Sequence, residues 1–183
     1  MKYIALLFLL GGCAHTYYVH DIPNYRIVDD KVLFRGGEPK PGGEGWAYLK
    51  SLGVKTVIKL NYEAEGSDNE ALALGLNVLK SEMPPSDFGD FLQTPSLDQI
   101  HAAVTAMLNP NNFPVYVHCS HGQDRTGLVT AMFRVIHDHW TFEDARNEMI
   151  SNGYHVELHG LEEAWERFKK ALSMPPNVTV PNM

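Results

Sequence analysis

The stretch from Pro114 to His137 constrains the fold more than any other part of the chain. Pro114-Val115-Tyr116-Val117-His118 is an apolar run of strand length, and Gly127 to His137 is apolar with helical spacing. Between them stands Cys119-Ser120-His121-Gly122-Gln123-Asp124-Arg125, a thiol and a guanidinium separated by five residues. So short a link delivers a buried strand directly into a helix that starts near Thr126. Successive backbone N–H groups can then turn inward and form a concave nest for a phosphate-sized anion, and Gly122 permits the tight turn.

Such a nest serves two purposes. Amide dipoles, a helix N-terminus and Arg125 together favour the thiolate, the nucleophilic form of Cys119. The same donors can hold the three equatorial oxygens of a phosphoryl group, over which the transition-state charge is spread. Arg125 suits this role better than lysine, because its planar fork donates two parallel hydrogen bonds. Thr126 is expected beneath the sulfur, where a donated hydrogen bond would make the thiolate a better leaving group in a second step. A buried, inert Cys119 is the competing reading. It leaves Gly122, Arg125 and Thr126 in register without a reason.

Around this centre, short strand and helix patterns alternate. Tyr25–Val28 and Lys31–Phe34 flank Asp29-Asp30 as a hairpin, and Gly36 to Gly45 reads as a loop. A helix follows over Trp46–Leu52, ended by Gly53, then a strand within Val54–Leu60. Residues 68–74 form a short helix behind an Asp68 cap, and Leu76–Leu79 is another strand. The prolines and aspartates of 81–95 make an irregular segment, and Ser96 opens a helix to about Leu108. Helices over 142–151, behind Thr141, and over 161–172 close the chain. The pattern predicts an α/β domain with a central, mostly parallel sheet flanked by helices. At 183 residues there is room for one well-buried core rather than two.

The formal net charge of −7 argues against nucleic acid as a partner, which needs a broad basic face. The N-terminus carries an address instead. A basic start at Lys2, an apolar run from Ile4 to Leu10 and a small-residue ending have the form of an export signal. Seven apolar residues are too few to span a bilayer as a helix. Leu10-Gly11-Gly12-Cys13 resembles the lipobox of bacterial lipoproteins. That resemblance implies a signal peptide over 1–12, lipidation of Cys13, and contact with the membrane through this anchor only. It also implies a place on the periplasmic face, at the outer membrane. Residues 13–24 then read as a tether, 25–172 as the folded domain and 173–183 as a tail. Cys119 becomes the sole thiol of the mature chain, so no internal disulfide can form.

His118 to Gly127, HCSHGQDRTG, resembles the His-Cys-x5-Arg-Thr-Gly signature of the protein tyrosine phosphatase superfamily. Phe34 to Pro39, Leu49 to Leu60 and Thr141 to Glu148 are similar in order and spacing to atypical dual-specificity phosphatases. The nearest likeness is the branch acting on inositol polyphosphates or pyrophosphates, and it extends over roughly residues 24–170. The resemblance implies the minimal cysteine-phosphatase fold and a phosphocysteine intermediate. It implies a small polyphosphorylated substrate such as an inositol phosphate, with a phosphotyrosine or dual-specificity protein phosphatase as the alternative. A non-catalytic lipoprotein that captures phosphorylated ligands is a third reading.

The general acid of that family is an aspartate about thirty residues before the cysteine. Asp87 fits this place, with Asp90 as competitor. Ser120, His121, Gly122, Gln123 and Asp124 are the substrate-binding candidates, with the Asp124 carboxylate expected to point outward and brace the loop or Arg125. Arg35 and Lys59 could reach further phosphates of a polyanion or stand as solvated charges. His118 is implied to order the loop through a hydrogen bond to backbone. No cofactor and no metal are required, and the histidines of 137–139 and the pair His155 and His159 do not complete a four-ligand set. A monomer is expected.

Overall fold

The computed structural model of the protein describes residues 16–84 and 94–173. Two very short strands, β1 (Tyr18–Val19) and β2 (Ile22–Pro23), form an antiparallel ribbon at the start. The hairpin of β3 (Arg26–Asp29) and β4 (Leu33–Gly37) follows, then α1 (Gly45–Ser51), β5 (Thr56–Lys59), a 3-10 turn over Glu63–Glu65, and α2 (Asn69–Ala73). Next come β6 (Asn77–Lys80), α3 (Leu97–Leu108), β7 (Val115–Cys119), α4 (Asp124–His137), α5 (Phe142–Ser151) and α6 (His159–Ser173).

The main sheet has the order β3-β4-β7-β5-β6, antiparallel at β3/β4 and parallel elsewhere. This is the mostly parallel α/β sheet that the sequence predicts. β7 lies in the middle, and all five of its residues are buried. Strand alternation divides its side chains between two cores: Val115, Val117 and Cys119 join a cluster with α3, α4, α5 and α6, while Tyr116 joins one with α1 and α2. Leu33/Phe34 and Ile58/Val57 split the same way on the neighbouring strands. The chain leaves β7 at the carboxyl edge of a parallel sheet, where open α/β folds form their ligand crevices.

Local signals explain most element ends. Ser96 caps α3 by accepting from Gln99 N at 3.2 Å, while the Gln99 side chain returns to Ser96 N at 2.8 Å. Thr141 caps α5 through Asp144 N at 3.0 Å. Asp68 stands at the N-cap of α2 without capping it. Its carboxylate is drawn instead to Lys59 Nζ at 3.0 Å and His118 Nε2 at 3.1 Å.

Three boundaries differ from expectation. Residues 17–24, read as tether, pack onto the domain: Ile22 is fully buried in the α1-side core, and Asn24 N donates to Tyr17 O at 2.7 Å. Apolar spacing over so short a ribbon gives no period to detect. Gly36 and Gly37, read as loop, are the last residues of β4 and pair with His118 and Cys119. α4 begins at Asp124 rather than near Thr126, which brings Asp124 and Arg125 into its first turn.

Candidate active site

The seven residues from Cys119 to Arg125 run from the end of β7 into the first turn of α4. Gly122 has φ +76°, and a Cβ there would lie 2.2 Å from Gly36 C and 2.3 Å from Gly37 N. Any side chain would collide with backbone as well as strain φ, so this position needs glycine. The paired glycines ending β4 form the seat, since a Cβ on Gly37 would likewise meet His121 C and Ser120 O at 2.8 Å.

Three successive carbonyls of the loop are held by donors outside it. Glu38 N donates to Ser120 O at 3.1 Å, Asn24 Nδ2 to His121 O at 2.8 Å, and Arg35 Nη2 to Gly122 O at 2.7 Å. A trans peptide whose C=O points outward carries the next residue's N–H on the opposite side. The amides of His121, Gly122 and Gln123 therefore face inward. Gly122 N donates to Cys119 Sγ at 3.3 Å.

Arg125 is 2 % exposed, and its guanidinium meets Glu65 as a fork: Nη1 to Oε2 at 2.9 Å and Nη2 to Oε1 at 2.5 Å. Nη1 also donates to Met83 O at 3.2 Å and Nη2 to Ser120 Oγ at 3.1 Å, while Ser120 Oγ donates to Glu65 Oε1 at 2.7 Å. Burial alone would raise the Glu65 pKa, but the bonds from Arg125, Ser120 and Tyr62 N outweigh it and hold it at about 2. Glu65 thus orients both the arginine and the loop. Sequence reasoning missed it, because an acidic residue in a polar turn carries no local mark of a partner sixty positions away.

Several candidates stand elsewhere than expected. Lys59 is fully buried on the far side of β7: Nζ pairs with Asp68 Oδ2 at 3.0 Å and Glu63 Oε2 at 3.5 Å, and donates to Gly66 O. It cannot reach a substrate, and removing one member of such a buried cluster costs about 3–5 kcal/mol of stability. Arg35 is 2 % exposed and donates to Gly122 O and Gln123 O, so it props the loop from behind instead of contacting ligand. Burial lowers its pKa to about 10, opposed by attraction to Glu148 and Cys119, which leaves it a cation at neutral pH.

Other site residues have their partners outside the loop. His118 lies between two carboxylates rather than on backbone, with Nδ1 3.3 Å from Glu38 Oε2 and Nε2 3.1 Å from Asp68 Oδ1. Burial tends to raise the Asp68 pKa, yet His118 and Lys59 bring it below its ordinary value. The Thr126 hydroxyl donates to Gly36 O at 3.5 Å, not to the sulfur. The Asp124 carboxylate turns outward to His155, accepting from its N at 2.9 Å and standing 3.0 Å from Nδ1. It braces the 152–158 loop and is no part of the anion nest. The Gln123 side chain rests where a Cβ on Gly153 would sit, 2.4 Å from Nε2. His121 is exposed at the rim. Asp87, Asp90 and Cys13 lie outside the described residues.

Among the described residues, two groups bring three ligand-type atoms within 4.8 Å of one another: Glu38, Asp68 and His118, and Asp29, His137 and Asp138. In the first, Lys59 already supplies the counter-charge. In the second, Asp138 accepts from Arg134 Nη1 at 2.7 Å.

Comparison with known proteins bears on this arrangement. The model of the tyrosine phosphatase family matches residues 22–179. The chain is 31% identical over 159 residues to the dual specificity protein phosphatase TpbA of Pseudomonas aeruginosa, covering 80% of this chain and 68% of that one. It is 31% identical over 115 residues to the inositol diphosphatase DSP4 of Arabidopsis thaliana, covering 62% and 56% respectively. With the related Arabidopsis proteins DSP3 and DSP5 it likewise aligns over only 62% and 60% of their length. The crystal structure of P. aeruginosa TpbA superposes with TM-score 0.63 at 22% identity, covering 87% of this chain and 96% of that one.

Proposed function

Since the chain belongs to the tyrosine phosphatase family, we propose that it hydrolyses phosphomonoesters through a phosphocysteine intermediate. The observation that carries this reading is the loop's polarity: carbonyls tied outward, the Gly122 amide on Cys119 Sγ, and Arg125 in a fixed fork beside them. The Cys119 thiolate attacks phosphorus and the ester P–O bond breaks. The leaving oxygen takes a proton from a general acid, for which Asp87 is proposed and Asp90 is the alternative. The resulting carboxylate then removes a proton from water, whose oxygen attacks phosphocysteine and releases inorganic phosphate and the thiolate. The inward amides and Arg125 hold the phosphoryl oxygens throughout. Every proton is accounted for by a side chain and a water, so the scheme needs no metal.

An inositol polyphosphate is the proposed substrate, supported by the inositol diphosphatases among the relatives. One observation favours a phosphotyrosine or dual-specificity protein substrate instead: Arg35 and Lys59, the two cations expected to meet further phosphates, are both buried. Comparing turnover of inositol hexakisphosphate with that of a phosphotyrosine peptide decides between them. The first reading expects kcat/KM for the inositol phosphate to be about tenfold or more higher, the differential worth of one or two extra phosphate contacts. The reverse order transfers the substrate to the second reading. Turnover of neither, or strong inhibition by EDTA, overturns the metal-free phosphatase.

Export and a lipid anchor on Cys13 belong to the same proposal, supported by the Met1–Cys13 pattern. Labelled palmitate should enter the full chain and be lost in Cys13→Ser; equal labelling of both would remove the anchor. Among the described residues no helix is long and apolar enough to cross a membrane.

A further inference from the structure

We infer that Asn24 is a positioning residue for the phosphate loop, acting through the carbonyl of His121 to aim the Gly122 amide at Cys119 Sγ. This rests on the phosphatase reading for its kinetic consequence, while the geometry stands on its own. Asn24 lies ninety-seven positions before His121, in a segment whose sequence reads as a tether. Its Nδ2 donates to His121 O at 2.8 Å, and the amide at the other end of that same peptide donates to Sγ at 3.3 Å. The peptide is planar, so fixing its oxygen fixes its N–H.

The donor itself is held firmly. Asn24 sits between Pro23, which is buried, and Tyr25, which is 6 % exposed, and its own N–H donates to Tyr17 O at 2.7 Å. Its φ of +50° is a left-handed conformation that asparagine, aspartate and glycine adopt far more readily than other residues. On the other side, Pro23 Cγ stands 2.6 Å from where a Cβ on Gly37 would lie, so the ribbon and the strand end beneath the loop are in close contact. The neighbouring peptides are held by Glu38 N and by the buried Arg35. The His121–Gly122 peptide is the one held by a single surface side chain. It is also the one whose amide reaches the sulfur.

Asn24→Gly keeps the backbone conformation and deletes only the donor. Asn24→Asp keeps the shape and turns an acceptor toward the His121 carbonyl. In the full chain, kcat/KM for an aryl phosphate should fall about three- to tenfold in Asn24→Gly, the worth of one partly exposed hydrogen bond, and further in Asn24→Asp. Iodoacetamide alkylation of Cys119 supplies a readout that needs no substrate. The ratio of its rate at pH 6 to that at pH 9 should drop by a similar factor in both variants, because the amide that favours the thiolate is no longer aimed. Inhibition by inorganic phosphate should weaken in parallel, with the melting temperature close to wild type.

Wild-type values within twofold for turnover and alkylation ratio in both variants would overturn the inference. So would reduced turnover that tracks a lowered melting temperature while the alkylation ratio stays unchanged, which is the mark of a merely structural contact. If the wild-type chain turned over no phosphate ester, the phosphatase reading would fail. The alkylation ratio would still decide the role of Asn24.

Discussion

Replacing the single sulfur in Cys119→Ser should lower turnover by at least about 10⁴-fold while leaving affinity for inorganic phosphate within about tenfold of wild type. The two effects separate because different atoms carry them. Anion binding comes from inward backbone amides and from Arg125, whose fork is fixed by Glu65, Ser120 and Met83 O. None of these needs the sulfur, and a serine hydroxyl can still accept from Gly122 N. Nucleophilic attack does need it, because a serine hydroxyl stays protonated at neutral pH and the same field cannot ionise it usefully. Calorimetric titration with phosphate alongside single-turnover kinetics checks both arms. Retention of more than about 1% of activity would dismiss Cys119 as nucleophile. Loss of phosphate binding with activity would mean that the anion sits elsewhere.

For Arg125→Lys we expect a loss of about 10²- to 10³-fold in kcat/KM, falling mostly on kcat. An ammonium keeps the charge but offers one point where the guanidinium offers a plane. In the observed fork two edge nitrogens are committed to Glu65 in parallel bonds, an arrangement lysine cannot copy. Charge spread over three phosphoryl oxygens in the transition state suffers more than the ground state from that loss of direction. The deficit should be flat between about pH 5 and 8. With a pKa of about 2, Glu65 gives the folded state a contribution that is present above the ordinary carboxylate range and lost only as pH falls through about 2. A deficit below about tenfold, or one that disappears within that neutral window, would take the phosphate-clamping role from Arg125.

The fold was largely legible because its signals are local. α5 occupies 142–151 behind Thr141 as the capping pattern indicates, and α3 opens behind Ser96 with Gln99 closing the box. The strand, loop and helix around Cys119 fell into place for the same reason, with only the start of α4 shifted from near Thr126 to Asp124, toward the loop. Asp68 shows where a local rule gives way. It stands in the N-cap position but its carboxylate serves His118 and Lys59, since a buried ammonium and an imidazole nitrogen repay its desolvation better than one backbone amide.

The partners of charged groups were not legible. Arg35 and Lys59 look alike in sequence to any solvated cation, and only burial shows that one props the loop and the other anchors the turn that bears Glu65. Glu65 and Asn24 reach the loop across sixty and ninety-seven positions of chain. The sequence by itself determined the alternation of elements, the turn that Gly122 allows and the spacing of thiol and guanidinium, because these depend on neighbours along the backbone. Tertiary structure alone decided which side chains hold the loop open toward its ligand. Hydrogen bonds and ion pairs are contacts between surfaces that meet only after the sheet has formed, and nothing in a residue's immediate neighbours encodes what will lie against it.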